Sequence, residues 1–260
     1  MADGGGLSSV GRMDLMITTL AARPELARAM DEMPDTWPEF ILEDLVGWAN
    51  FPRIAVEFPE YVLVATDPDG VVVARAYSVP FALEAAGRGR LPGGGWDQVL
   101  LWAFSDLRHG RTPDTVSAIE ITVAAGRLGQ GISGRMLAAM RENAVRLGFR
   151  EVVAPVRPSA KHTDAEAPME EYARRTRPED GLPRDPWLRV HVRAGGVIEA
   201  VAPSSMTVSA PLERWRSWTG LPFDGEGPVV VPGALVPVHC SATHGYAVYV
   251  EPNVWVRHRV

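Results

Sequence analysis

The stretch Val123-Ala-Ala-Gly-Arg127-Leu-Gly129-Gln-Gly131-Ile-Ser133-Gly134-Arg135 decides how this chain is read. Before it, Val116 to Val123 is rich in β-branched residues and predicts a strand. After it, Ile132, Met136, Met140, Ala144 and Leu147 recur at three- and four-residue spacings, which predicts an amphipathic helix from Gly129 to about Leu147. Strand, glycine-rich turn and helix in this order make an anion cradle. The glycines let backbone N–H groups approach a phosphate closely, and the helix N-terminus adds partial positive charge. No Gly-Lys-Ser/Thr follows, so a P-loop nucleotide site is excluded. Gly129-x-Gly131-x-x-Gly134 matches the dinucleotide spacing, but the acidic partner about 20 residues on is missing, because Glu151 opens a strand rather than ending one. The plain alternative is a glycine turn that binds nothing.

Outward from this stretch, Glu151 to Val156 is the next strand. Tyr61 to Thr66 and Val71 to Val79 flank Asp67-Pro-Asp-Gly70, a hairpin signal in which Pro presets one turn angle and Gly supplies a positive φ. Asp14 to Leu20, Val197 to Val201, Ser205 to Val208, Val229 to Val238 and Tyr246 to Val250 read as further strands. Pro24 to Met33, Thr36 to Trp48, Met169 to Arg177, Trp187 to Ala194 and Glu213 to Trp218 read as helices. Ala85 to Gly95 reads as a mobile glycine loop before the apolar run Trp96 to Phe104. The alternation predicts an α/β protein, and the hairpins predict a mixed, mostly antiparallel twisted sheet flanked by helices, with a β-rich C-terminal extension. The expected division is a flexible tail at 1–12, a core at 13–210 and an extension at 211–260 packed on that core.

Composition narrows the class. The 260 residues carry a net charge of −6, which argues against a general nucleic-acid binder. Cys240 is the single cysteine, so no disulfide forms within the chain and a cytoplasmic setting is expected. No apolar run reaches the roughly 20 residues of a membrane span. Lys161 is the lone lysine, a bias that suits a GC-rich bacterial gene. His239, Cys240 and His244 invite a metal, but neighbouring strand residues point to opposite faces, and no metal is expected.

The central stretch resembles the GCN5-related N-acetyltransferase (GNAT) superfamily. There a strand ending in Val leads into Arg/Gln-x-x-Gly-x-Gly/Ala, a helix, Gly-Phe and another strand. Leu137-Ala-Ala-Met140, Ala144-Val-Arg-Leu-Gly-Phe149 and Glu151-Val-Val-Ala-Pro-Val-Arg-Pro-Ser159 continue the pattern. The resemblance spans Asp14 to Met206 and is strongest from Val123 to Val156. Leu128 stands where the family usually has Arg or Gln, and Ser133 where it has Gly or Ala. The resemblance implies an N-acyltransferase of a kind met in secondary metabolism. It would move an acyl group from a 4'-phosphopantetheine thioester, either acyl-CoA or an acyl or peptidyl carrier protein, to the amine of a small molecule by direct attack. It also implies donor contacts from Val123, Ala125, Gly129, Gln130, Gly131, Ile132, Ser133, Gly134 and Arg135, with the Val123 N–H polarising the thioester carbonyl. Monomer and homodimer both fit.

Two further residues carry the expected chemistry, and three more the expected substrate contacts. Glu120 lies three positions before Val123, and many family members place an acidic base on this strand. Strict alternation puts Glu120 on the face of Thr122, away from Ile119, Ile121 and Val123. An exposed or Arg-paired carboxylate is the plain alternative. His191, in His191-Val-Arg-Ala-Gly195, occupies the place of the family's Tyr in Tyr-x-x-x-Gly. There an imidazolium would protonate the thiolate, or a neutral ring with water would relay the amine's proton, or the ring simply packs its helix. The polar segment from Arg157 to Pro186 reads as a lid, with Tyr172, Asp185 and the following Trp187 as substrate contacts. Five arginines against Glu142 between Arg127 and Arg150 suit CoA phosphates, an acidic carrier protein or a solvated helix face. A catalytically degenerate member that binds CoA or a metabolite as a sensor or assembly partner is the alternative function.

Overall fold

Short runs of Val, Ile and Ala build the sheet, and turns that need left-handed glycines separate them. The computed structural model describes residues 14–260, and the expected tail at 1–12 lies outside them. Among the described residues the strands are β1 (Met16–Thr19), β2 (Val62–Thr66), β3 (Val72–Phe81), β4 (Thr115–Val123), β5 (Glu151–Val156), β6 (Val197–Pro211), β7 (Gly227–Val229), β8 (Val238–Ser241) and β9 (Tyr246–Arg259). The helices are α1 (Ala27–Asp31), α2 (Glu39–Leu42), α3 (Leu45–Glu57), α4 (Gly95–His109), α5 (Ile132–Arg146), α6 (Met169–Ala173), α7 (Pro186–Arg193) and α8 (Leu212–Thr219). The strands form one sheet in the order β1-β2-β3-β4-β5-β9-β8-β7, with β6 also paired to β9. Only β4 and β5 run parallel, so the sheet is mixed and mostly antiparallel, as expected.

One face of the sheet packs on α5 through Ala74, Ala76, Met136 and Met140. The other packs on α3 and α4 through Tyr77, Val79, Ile54 and Leu100. A third cluster joins Phe40 of α2 to Trp215, Val238 and Tyr249. Phe40 meets the Tyr249 ring edge-on at 5.4 Å, so the C-terminal strands brace α2.

The structure corrects several expectations. The helix expected over 36–48 is two helices, because the Asp44 carboxylate accepts from Gly47 N at 2.6 Å and caps a new start. The strands expected at 197–201 and 205–208 are halves of β6, broken by an irregularity between Ala202 and Met206. Between Val229 and Val238 only the two end residues belong to strands. The segment at 211–260, expected as an extension packed on the core, shares the core's sheet: β9 pairs with β5 and places Val254, Trp255 and Val256 in the two main clusters. One edge of β9 carries β6, and the other carries β8 and then β5.

The break in β6 anchors the start of α4. Ser205 Oγ accepts from Trp96 N at 2.9 Å and donates to Asn253 Oδ1 at 2.6 Å. This contact needs Gly95, whose φ is +42° and where a Cβ would lie 2.1 Å from Ser205 Oγ.

Candidate active site

β4 and β5 pair only at Val116↔Val152 and Ser117↔Val153, and beyond these positions they part. Two local features accompany the split. Pro155 on β5 has no N–H to extend a ladder. On β4, Tyr77 opposes Glu120 while Ser78 opposes Ala118, so Ile119 is an extra residue and the strand bulges. The Ile119 carbonyl accepts the Trp96 indole N–H at 2.9 Å. A cleft of about 860 Å³ opens between the parted strands.

The end of β4 aims an amide into this cleft. Ala124 N–H donates to Val73 O at 2.9 Å, so Ala124 sits at a hydrogen-bonded position of the β3–β4 ladder. Antiparallel ladders alternate, so the N–H of Val123 points away from β3, toward the gap beside β5.

On one side of Val123 lies the glycine loop. Gly129 and Gly131 have φ of 77° and 72°, and Gly131 caps α5. A Cβ at either would meet nothing within 4 Å, so positive φ rather than crowding requires glycine there. Val123, Gly129, Gly131, Ile132 and Ser133 line the cleft, while Ala125, Gln130, Gly134 and Arg135 flank it. Arg127 is tied to Asp67 at 3.0 Å. Leu128 turns outward, 63% exposed. Open amides at the start of a 15-residue helix suit a pyrophosphate.

On the other side is a wall that sequence reasoning largely missed. Glu120 is nearly buried: Oε1 accepts from Arg75 Nε at 3.0 Å and Oε2 from the Trp37 indole at 3.2 Å. Arg75 also pairs with Asp35 and donates to the carbonyls of Met30 and Met33. The bulge corrects the expected facing of this strand. Ile119 packs with Tyr77 on the α4 side, the side of Glu120's partner, whereas Ile121 and Val123 pack toward α5. Trp37, Trp48, Phe51 and Trp96 add aromatic faces, and Glu251 and Asn253 close the end. Glu251 is fully buried and is held by Arg157, by Tyr249 Oη at 2.8 Å and by Asn253 Nδ2 at 3.0 Å. Glu251-Pro-Asn253 stands out in the sequence, but only the folded sheet gives it a place.

Behind Gly47 and Trp96, Asp97 lies against Asp44. Burial, and then the neighbouring Asp44 carboxylate, raise Asp97 well above the usual carboxylate range, which favours its protonated form beside Asp44.

α7 borders the cleft with Pro186, Trp187, Val190 and His191. His191 Nδ1 lies 2.9 Å from His258 Nε2, a contact in which one ring donates and the other accepts. Burial first, and then His258, lower the His191 pKa to about 3. The imidazolium expected of a proton donor is therefore disfavoured, because a charged ring loses its hydration there. Tyr172 and Asp185 are not on the cleft wall. Tyr172 Oη donates to Asp185, which also accepts from Ala160 N and caps α7 through Trp187 N and Leu188 N. The segment expected as a lid is largely tied down: Lys161, fully buried, donates to the carbonyls of Asp164 and Leu235. Cys240 is buried in the C-terminal cluster, which raises its thiol pKa. Among the described residues no helix is long and apolar enough to cross a membrane.

No family model matches the chain. An arginine N-acetyltransferase of Aspergillus versicolor, avaD, is 32% identical over 275 residues, covering 94% of this chain and 93% of that protein. Among solved structures, the loading GNATL domain of CurA from Lyngbya majuscula is similar with a TM-score of 0.59 at 18% identity, over 95% of this chain and 96% of its own. The GphF GNAT-like decarboxylase in complex with isobutyryl-CoA gives 0.52 at 16% identity, over 95% and 98%. These two likenesses concern the fold.

Proposed function

The chain belongs to the GCN5-related N-acetyltransferase superfamily and is an acyltransferase, and from that premise we propose that it carries an acyl group from acyl-CoA to the amine of a cationic small molecule. The observation behind this reading is the layout around Val123: a glycine cradle on one side and an acid- and tryptophan-lined wall on the other. The cradle takes the pyrophosphate of the donor, and the pantetheine arm follows the gap between β4 and β5. Opposite, the carboxylate of Glu120 among Trp37, Trp48, Phe51 and Trp96 suits a cation, which aromatic faces and acids both attract. The relative's arginine makes that amino acid the first acceptor to try.

The chemistry balances with the groups in place. Glu120 takes one proton from the acceptor's ammonium, directly or through a water, using lone pairs that Arg75 and Trp37 leave over. The freed nitrogen attacks the thioester carbonyl carbon, and Val123 N–H donates to the oxygen as it gains charge. A C–N bond forms, the C–S bond breaks, and the nitrogen's second proton goes to the sulfur. His191, neutral at working pH, can pass that proton only by accepting one as it gives one.

The test is thiol release from acetyl-CoA with arginine, lysine, spermidine and neutral amines. Cationic acceptors should be turned over fastest. Release that is equal or faster with neutral amines would remove the cation reading, and no release with any amine would remove the acyl-transfer assignment. A carrier-held donor is the second reading, favoured by the apolar rim of Leu42, Trp48 and Leu128, which are 48%, 75% and 63% exposed. The same acyl group on a phosphopantetheinylated carrier protein, run in parallel, distinguishes the two donors.

A further inference from the structure

Two arginines line the cleft, and they stand at opposite ends of it. Arg127 borders the glycine loop. Arg157 follows β5 directly and faces the acceptor half, beside Glu251 and Trp37. Its Nε donates to both oxygens of Glu251 at 3.1 and 3.0 Å, and its Nη2 donates to Gly233 O at 2.6 Å. Among the described residues no hydrogen-bond acceptor meets Nη1. The side chain keeps 15% of its exposure, although its partner Glu251 has none. Glu251 is itself pinned by Tyr249 and Asn253, so the guanidinium is fixed in place with one of its edges already used. Arg75 offers no comparable group, since Glu120, Asp35 and two carbonyls take its donors.

A cation-binding wall has no use for a fixed guanidinium with an N–H group to spare, which repels a simple polyamine. A substrate that carries both a cation and a carboxylate uses both. The guanidinium fork can bind a second carboxylate on its free edge while Glu251 keeps the first. We propose that Arg157 receives the α-carboxylate of the acceptor, so that the substrate is a cationic α-amino acid and not the amine left by its decarboxylation. The proposal rests on the acyl-transfer reading above and adds the substrate class.

The native protein decides this with acetyl-CoA and three acceptors that differ only at the carboxyl position: arginine, arginine amide and agmatine. A charge-assisted hydrogen bond left unmade at this largely buried site weakens transition-state binding, so kcat/KM for arginine should exceed the other two by at least about 30-fold. In Arg157→Lys, which keeps the charge beside Glu251 but loses the fork, that ratio should shrink toward one, mainly through a higher KM for arginine. If agmatine or arginine amide equals arginine with the native protein, the proposal is overturned while acyl transfer stands. Turnover of other amines but of none of these three overturns it as well. Silence with every amine tested removes the acyl-transfer reading itself. If the variant does not fold, the comparison of substrates on native protein still decides.

Discussion

Glu120 divides its two oxygens between the Arg75 guanidinium and the Trp37 indole, and each oxygen keeps a lone pair for the cleft. Glu120→Gln retains the shape and one acceptor but cannot take a proton. Its kcat/KM at pH 7 should fall about 10²- to 10⁴-fold, and the rise of activity with pH that belongs to the base should disappear. An unchanged pH profile would exclude Glu120 as the base. The candidacy of Glu120 was legible because it lies close to Val123 on one strand. Its partners were not, since Arg75 and Trp37 are 45 and 83 positions away and only the fold joins them. Asp97 makes a second prediction at this scale. Its folded pKa is raised, so its contribution to stability is full below the unfolded value near 3.8 and is lost as pH rises through the folded value. Asp97→Asn loses nothing over that range and can still donate to Asp44. Melting temperatures should show the variant more stable than wild type at pH 7, with the gap widening toward pH 8, and equal melting at both would refute the raised Asp97 pKa.

The loop from Ala125 to Gly131 was the most legible element, because glycine spacing and helix periodicity are local signals. Two of its glycines have the positive φ that a tight turn into a helix demands. Gly131→Asp puts a side chain into the left-handed region and a negative charge where the helix start favours an anion. Calorimetry should find acetyl-CoA binding lost, with the melting temperature only modestly lowered, and retained affinity would mean that the donor lies elsewhere. The bulge at Ile119 was not legible, because alternation assumes one residue per rung. That single extra residue put Ile119 on the wrong face in the sequence reading. Likewise, the break between α2 and α3 turns on one Asp44 side-chain hydrogen bond, and a propensity argument reads through it.

For the molecule as a whole, the fold class could be read from the order of elements, but the place of β9 could not. Strand order beyond a hairpin is set by non-local pairing, which no periodicity encodes. The buried pair His191 and His258 ties α7 to β9 and sets an acid limit on the whole chain. Burial lowers the two rings to about 3 and 4, from an ordinary value of 6.5. The unfolded chain therefore binds more protons between these values. The pair's contribution is full above pH 6.5 and is lost as pH falls toward 3, at about 1.4 kcal/mol per pH unit for each ring inside the window. Urea midpoints at pH 7, 5.5 and 4.5 should fall steadily for wild type. They should fall less for His258→Gln, which keeps a hydrogen-bonding group and removes one titrating ring; equal slopes would contradict this account. The position of β9 also governs the order of assembly. β5 finds this neighbour only across a long stretch of chain, as the Arg257–Glu151 ion pair shows by bridging 106 positions. Contacts so distant in sequence close slowly. Until they close, β5 keeps an apolar open edge at Val152, Val153, Ala154 and Val156, a template for pairing with another chain. Glu251 and Asn253 arrive on that same late strand. Dilute, slow refolding should therefore give active protein, whereas concentrated refolding should lose it to aggregation before the acid- and tryptophan-lined wall exists.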